Sequence, residues 1–293
     1  MNLIIGATGL LGGEICRRLR AANQSVRALV RPTADKAKVE NLKTLGVELV
    51  SGDLKDRASL DKACQGVSAV ISTVSSTISR QAGDNIQTVD QEGQKRLVDA
   101  AREAGVDHFI FISYSGNIDI DCPLTRAKRA VEEHLRQSGL SFAILRPTAF
   151  IEIWLSPVLG FDFPNAKARI FGSGQGKISF ISFVDVAQFA TLCLDHPKAK
   201  NATIELGGPE ALSHLEVIAI FEELSNRQFE IEKVPEEALW AQKKESVDPL
   251  QESFAALMLG MARGDVIDMR ETLQMFPVKL CSMRDYARRV VSA

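Results

Sequence analysis

Three glycines spaced three apart, Gly6, Gly9 and Gly12, stand where the apolar run Leu3 to Ile5 gives way to a helical pattern from Leu11 to about Ala22. A strand, a tight glycine turn and a helix start, in that order, are the context a dinucleotide's diphosphate requires. Gly6 permits the turn, Gly9 lets the backbone approach a pyrophosphate, and Gly12 lets the helix pack closely on the strand. The backbone amides around Thr8, Leu10 and Leu11 would face the diphosphate, because the first N–H groups of a helix have no partner within it.

A NAD site places an acid at the end of the second strand, about twenty residues past the glycines, to accept from the ribose 2′-hydroxyl. Arg31 stands there instead, and no Asp or Glu lies between Val26 and Ala34. A forked guanidinium suits a 2′-phosphate and cannot accept from a hydroxyl, so Arg31, with Thr33 and Lys36 nearby, points to NADP(H). A solvated loop arginine is the plain alternative. After the third strand Asp53 can accept from an adenine amino group while Leu54 packs on the ring; otherwise Asp53 is a turn residue, although Asp56 is the better cap for the helix over Ser59 to Cys64.

The elements that must hold these residues are legible as alternating apolar runs and helical patterns, the mark of βα units building a parallel sheet. Strands are expected at Leu3 to Ile5, Val26 to Val30, Val47 to Ser51, Ala69 to Thr73, His108 to Ser113 and Phe142 to Leu145. The runs are near-continuous because helices would cover both faces. The fold class is therefore α/β, a doubly wound parallel sheet of Rossmann type over residues 1–150, with a smaller C-terminal substrate lobe over 151–293. In that lobe further strands are expected at Ile178 to Phe183 and Thr203 to Leu206, with a helix from Val186 capped by Asp185 and a mainly helical stretch after Pro209.

Composition removes several classes. The chain has 293 residues, 45% of them hydrophobic, enough for a large core without staples. With 35 Lys and Arg against 37 Asp and Glu, a net charge of −2 supplies no field for a polyanion, so no nucleic-acid partner is expected. Five isolated cysteines suit a reducing cytoplasm. No apolar run is long enough for a signal peptide or a membrane span. The four histidines lack metal-ligand spacing, so no metal is proposed, and neither a GxSxG elbow nor a Walker lysine appears.

With GATGLLG, SGDLKD, VDQEGQKRLVDAAREAG, FIFIS, Lys128 and ILRPTAF in this order, the chain resembles the atypical short-chain dehydrogenases/reductases of the NmrA-like group. The match runs from Met1 to about Phe150; FISFVDVAQFA and IELGGPEALS continue it more weakly. The resemblance implies an NADP-binding domain with a substrate lobe over the strands' C-terminal ends. It also implies that Thr73 and Val74 pass under the coenzyme and that Lys128 bonds the nicotinamide ribose or serves as the acid, Lys128 being otherwise a surface lysine beside Arg126 and Arg129. Pro147, Thr148 and Phe150 follow the sixth strand and would face the nicotinamide, Phe150 being otherwise core. Ser115 matches the position that polarises substrate.

The usual acid of such enzymes, the Tyr of a YxxxK pair, is missing: four residues before Lys128 stands Leu124, which carries no proton. The chain has two tyrosines, Tyr114 and Tyr286, and Tyr114 beside Ser115 is the candidate replacement or else a wall residue. Phe150, Ile151 and Trp154 would line an apolar cleft for a flat substrate. The expected activity is an NADPH-dependent reductase that gives hydride to a small aromatic or quinone-like acceptor. The alternative is a non-catalytic NADP(H)-binding redox sensor, regulatory or assembly protein. A protein partner or homo-oligomer is left open, and a sugar-nucleotide epimerase is disfavoured because it needs the missing Tyr.

Overall fold

Short runs buried on both faces pair into the expected sheet. The computed structural model describes residues 1–78, 81–118 and 120–292. Its strands are β1 (Asn2–Ile5), β2 (Val26–Val30), β3 (Glu48–Ser51), β4 (Ala69–Ser72), β5 (His108–Ile112), β6 (Ser141–Pro147), β7 (Phe161–Asp162), β8 (Lys167–Phe171), β9 (Ala202–Leu206) and β10 (Glu230–Val234). Seven of them form one sheet in the order β3-β2-β1-β4-β5-β6-β9. From β3 to β6 every neighbouring pair is parallel. All residues of β1, β4 and β5 are buried, which explains why each is apolar but for one residue at an end, Asn2, Ser72 and His108. The strand order reverses between β1 and β4, and open sheets of this kind bind ligands at the carboxyl ends of the strands that flank such a switch point.

The helices are α1 (Leu10–Ala21), α2 (Lys36–Thr44), α3 (Arg57–Cys64), α4 (Gln94–Glu103), α5 (Pro123–Gln137), α6 (Ile151–Trp154), α7 (Phe183–Leu192), α8 (His214–Ser225), α9 (Glu236–Glu245), α10 (Pro249–Arg263), α11 (Arg270–Met275) and α12 (Met283–Val291). Before α4 the chain winds as a π-helix over Ile86–Gly93, opened by a capping box between Asn85 and Thr88. Such widened turns favour functional sites.

Two compact units result. The first comprises Met1–Tyr114, Arg126–Arg146 and Val186–Ile204. Its core packs Leu3, Ile5, Leu97, Phe109, Phe111 and Ile144. The second comprises Ser115–Thr125, Pro147–Asp185 and Glu205–Ala293. Phe161 anchors it, 4.9 Å from the Phe221 ring and 5.5 Å from Phe229.

Two expectations fail here. Residues Ile178 to Phe183 are not a strand: Ile178 bridges Leu212 and Asp265 singly, Ile181 bridges Phe150, and Phe183 already opens α7. Asp185 consequently lies in that helix's first turn, accepting from the Cys281 amide at 2.8 Å, and does not cap it. Conversely, β10 emerges within a stretch read as helical. It pairs with β8 in parallel, opposing Glu230 to Lys167 and Glu232 to Arg169, with ion pairs of 3.1 Å and 2.9 Å.

Candidate active site

Gly6 has φ +89°, and a Cβ there would lie 2.5 Å from Thr73 Oγ1. Only glycine both adopts that turn and fits against the end of β4. Gly9 precedes α1 with no side-chain cap, its amide donating to the Gly6 carbonyl at 2.9 Å. A Cβ on Gly12 would stand 2.2 Å from that same carbonyl oxygen, so helix and turn touch through bare backbone. The first turn of α1 contains no acid, leaving its amides and positive dipole end without an internal anion. Thr8 is half-buried in this turn, Leu10 is exposed and Leu11 is buried in α1. The cradle fits a diphosphate.

Thr73 donates from Oγ1 to the Ile5 carbonyl at 3.1 Å, tying β4 to β1 beneath the turn. Beside it Val74 gives its carbonyl to Gln94 Nε2 at 3.1 Å, and Gln94 Oε1 accepts from Ser72 at 2.7 Å. Asp53 accepts from the Lys55 amide at 2.8 Å, and Leu54 is buried in the core of the first unit. Asp56 caps α3 by accepting from the Ala58 amide at 3.1 Å. Arg31 donates to Asp84 at 2.5 Å, Thr33 donates to Gln81, and Lys36 is exposed at the start of α2.

Lys128, on α5, is buried. Its Nζ donates to the Ile112 carbonyl at 3.3 Å and lies 5.0 Å from the centre of the Phe111 ring. Asp90, on the π-helical turn, brings Oδ1 to 3.9 Å from that Nζ. Its other oxygen accepts from the Ser76 amide at 3.0 Å and hydroxyl at 2.6 Å, whereas Oδ1 is buried with no hydrogen-bond partner. Burial pushes the Lys128 ammonium below its ordinary value, against the pull of the Asp90 and Glu132 carboxylates. The motif reading missed Asp90 because its partner is distant in sequence.

Glu132, one turn after Lys128, has a side chain with no solvent exposure. It accepts from Ser113 Oγ at 2.6 Å, from Arg129 at 2.5 Å, from Arg146 Nε at 3.1 Å and from Arg136 at 3.4 Å. Burial pushes its carboxyl up, but Arg146, Ser113 and Arg129 outweigh that and hold it below the ordinary value. Arg129 in turn stacks 5.1 Å from the Tyr114 ring centre and donates to the Tyr114 carbonyl at 3.1 Å. Tyr114 is thereby fixed at the end of β5, half-buried.

In the second unit Ser115 donates to Asp265 Oδ1 at 2.7 Å, and Asn117 Nδ2 donates to the same oxygen at 3.1 Å. Burial pushes the Asp265 carboxyl up against those bonds. Leu124 is buried, with its amide on Ser253 Oγ at 3.1 Å. Tyr286 lies on α12 with its phenol pushed up to about 12 by burial. Pro147 is buried and gives its carbonyl to the Ser115 amide at 2.9 Å, and Phe150 is half-buried at its bridge to Ile181. Ile151 is fully buried, and Trp154 meets Phe171 edge-on at 6.3 Å.

A doubly wound sheet whose first turn is a side-chain-free anion cradle defines a Rossmann-type nucleotide-binding protein. The chain belongs to the NmrA-like family, whose model matches residues 2–273. It is 32% identical over 312 residues to the isoflavone reductase homolog IRL of Zea mays, covering 98% of this chain and 97% of that one. It is 33% identical over 239 residues to the photosystem II assembly factor Ycf39 of Trieres chinensis, covering 80% of this chain and 72% of that one. The fold matches the NADPH-dependent quinone oxidoreductase QOR2 of Escherichia coli, solved with NADPH, at a TM-score of 0.80 and 23% identity over 99% of both chains.

Proposed function

We propose that this chain is an NADPH-dependent reductase that passes hydride to a small aromatic or quinone-like acceptor. The observation that carries the reading is the buried Lys128 ammonium, held between Asp90 and the Ile112 carbonyl in the unit that also contains the glycine cradle. The backbone around Gly6, Gly9 and Gly12 would hold the diphosphate, Arg31 with Thr33 and Lys36 the 2′-phosphate, and Asp53 and Leu54 the adenine. Thr73, Val74, Pro147 and Phe150 complete the proposed coenzyme contacts. Bound NADPH supplies the hydride.

What the chain must add is orientation and a proton. Lys128 is the proposed ribose contact and first proton source: its lowered affinity for a proton makes release near neutrality cheaper, while Asp90 opposes premature loss. Tyr114, placed by Arg129, and Ser115, placed by Asp265, are the other proposed donors. The reductase relative from Zea mays, similar along nearly the whole chain, supports the redox reading. Among the described residues all five cysteines are free thiols, which suits a reducing compartment such as the cytoplasm, and no helix is long and apolar enough to cross a membrane.

A second reading, a non-catalytic NADP(H)-binding assembly or sensor protein, is favoured by Leu124 in place of a phenol and by the similarity to an assembly factor. NADPH absorbance followed over a panel of quinones, aldehydes and aromatic ethers separates the two. Turnover in the wild type that is lost in Lys128→Ala supports the reductase; tight NADPH binding with no turnover on any acceptor favours the second reading.

A further inference from the structure

The cations that should recognise a 2′-phosphate already hold a carboxylate. Arg31 Nη1 lies 2.5 Å from Asp84 Oδ2, and the Lys55 ammonium bonds Oδ1 of the same group. The Gln81 amide also donates to Oδ2, at 2.9 Å, and the Gln81 side chain accepts from Thr33. The Asp84 side chain is only 2% exposed, against 29% for each of the two cations. Burial pushes its carboxyl up, but Lys55, the Gln81 amide and Arg31 outweigh that and keep it ionised. Lys55 was not among the residues singled out by sequence, yet it shares the anion with Arg31.

We propose that Asp84 is an internal competitor for the coenzyme's 2′-phosphate, and that its competition for the Arg31–Lys55 cation pair sets how strongly NADPH is preferred over NADH. The inference rests on the NADP(H) reading of the glycine cradle. NADH has no 2′-phosphate, so it binds with the Asp84 pairs intact. NADPH brings a dianion that must either displace the carboxylate or sit beside it, and like charges a few ångströms apart in a partly dehydrated site are strongly unfavourable. Two cations suffice for a phosphate alone; shared with Asp84, they leave it under-neutralised. Asp84 therefore restrains the discrimination that Arg31 would otherwise impose.

Isothermal titration of the full chain with NADPH and with NADH tests this. Asp84→Asn keeps the shape and one acceptor for Gln81 but removes the charge; the ratio of NADH to NADPH dissociation constants should rise by about tenfold or more, through tighter NADPH binding. Lys55→Ala should lower the ratio by a similar factor and leaves the test intact if Asp84→Asn misfolds. An unchanged ratio in either folded variant overturns the proposal, including the case where both coenzymes weaken together because the loop is merely loosened. Failure of the wild type to bind either coenzyme would instead overturn the NADP(H) reading itself.

Discussion

Replacing Gly12 by alanine probes whether contact between bare backbone segments builds the coenzyme site. The added Cβ would lie 2.2 Å from the Gly6 carbonyl oxygen, 2.7 Å from its carbon and 3.0 Å from Ala7 Cα. None of these atoms is a movable side-chain end, so α1 must withdraw by about 1 Å to reach ordinary carbon contact distances. Overpacking of this kind costs about 1–3 kcal/mol of stability. The same withdrawal carries the first-turn amides off their target, and a displacement near 1 Å at positioning contacts costs on the order of 100-fold. NADPH fluorescence titration should show that loss in Gly12→Ala. Gly13→Ala is the control: its Cβ would meet the Ala7 carbonyl at 3.3 Å, and glycine-to-alanine inside a helix is favourable by about 0.5–1 kcal/mol, so binding should stay within about threefold. Gly9→Ala separates binding from folding. Its φ of −84° and ψ of 170° admit alanine, and its Cβ would approach only the Gly6 carbonyl, at 3.2 Å. A stable Gly9→Ala protein should still bind NADPH poorly, because the methyl stands where the diphosphate approaches. Folded Gly12→Ala and Gly9→Ala proteins that both bind like wild type would refute the cradle.

Glu132→Gln leaves three arginines around a neutral amide and should cost about 3–5 kcal/mol in urea denaturation, whereas Glu223→Gln, which breaks an exposed 2.7 Å pair with Arg284, should leave the denaturation midpoint nearly unmoved; equal losses would mean that burial does not set the value of these pairs. Because the Glu132 carboxyl titrates lower in the folded chain than in the unfolded one, its contribution is complete above the ordinary carboxylate value and fades as pH falls through the lowered one. Buried His214 works in the same direction in a higher window: burial holds it down to about 4 from 6.5, so the folded state excludes a proton that the unfolded state takes up, and about 3 kcal/mol should be lost between those values. His214→Phe should flatten the stability profile over that interval, and an unaltered slope would show that the ring is not held neutral. Asp90→Asn should move the Lys128 titration, followed by NMR of isotope-labelled lysine side chains, to lower pH than in wild type; no movement would detach Asp90 from the Lys128 charge.

The parts of this molecule that were legible in the sequence are those written locally. The glycine turn is a short-range pattern whose every residue acts on its near neighbours, and β1, β4 and β5 announce themselves because burial on both faces demands predominantly apolar runs. The strand β10, with sequence EIEKV, defeats that logic: four of its five residues are exposed and its stability comes from pairing with β8, some sixty residues earlier. The same separation hid the partners of several candidate residues in each unit. Asp90 has meaning only beside Lys128, and Glu132 only with Ser113 and Arg146 brought to it by β5 and β6. Asp265 meets Ser115 across 150 positions of chain.

These partners share one feature, a buried carboxylate that fixes a candidate residue directly or through its neighbour. Asp84 holds Arg31, Asp90 faces Lys128, Glu132 secures Arg129 beside Tyr114, and Asp265 accepts from the Ser115 hydroxyl. Burying a carboxylate is costly unless cations or donors surround it, so each such group restricts its partner to one geometry. An arginine or lysine left in solvent would sample many rotamers, and ordering it on substrate would weaken binding. Asp90 supplies that order to Lys128 in advance, whereas Asp84, the proposed competitor at Arg31, holds the guanidinium against an incoming phosphate, so the same kind of pairing assists one contact and opposes the other. The acid nearest each motif residue in space, not in sequence, is therefore where substitutions should alter coenzyme choice and proton delivery while leaving the glycine cradle itself intact.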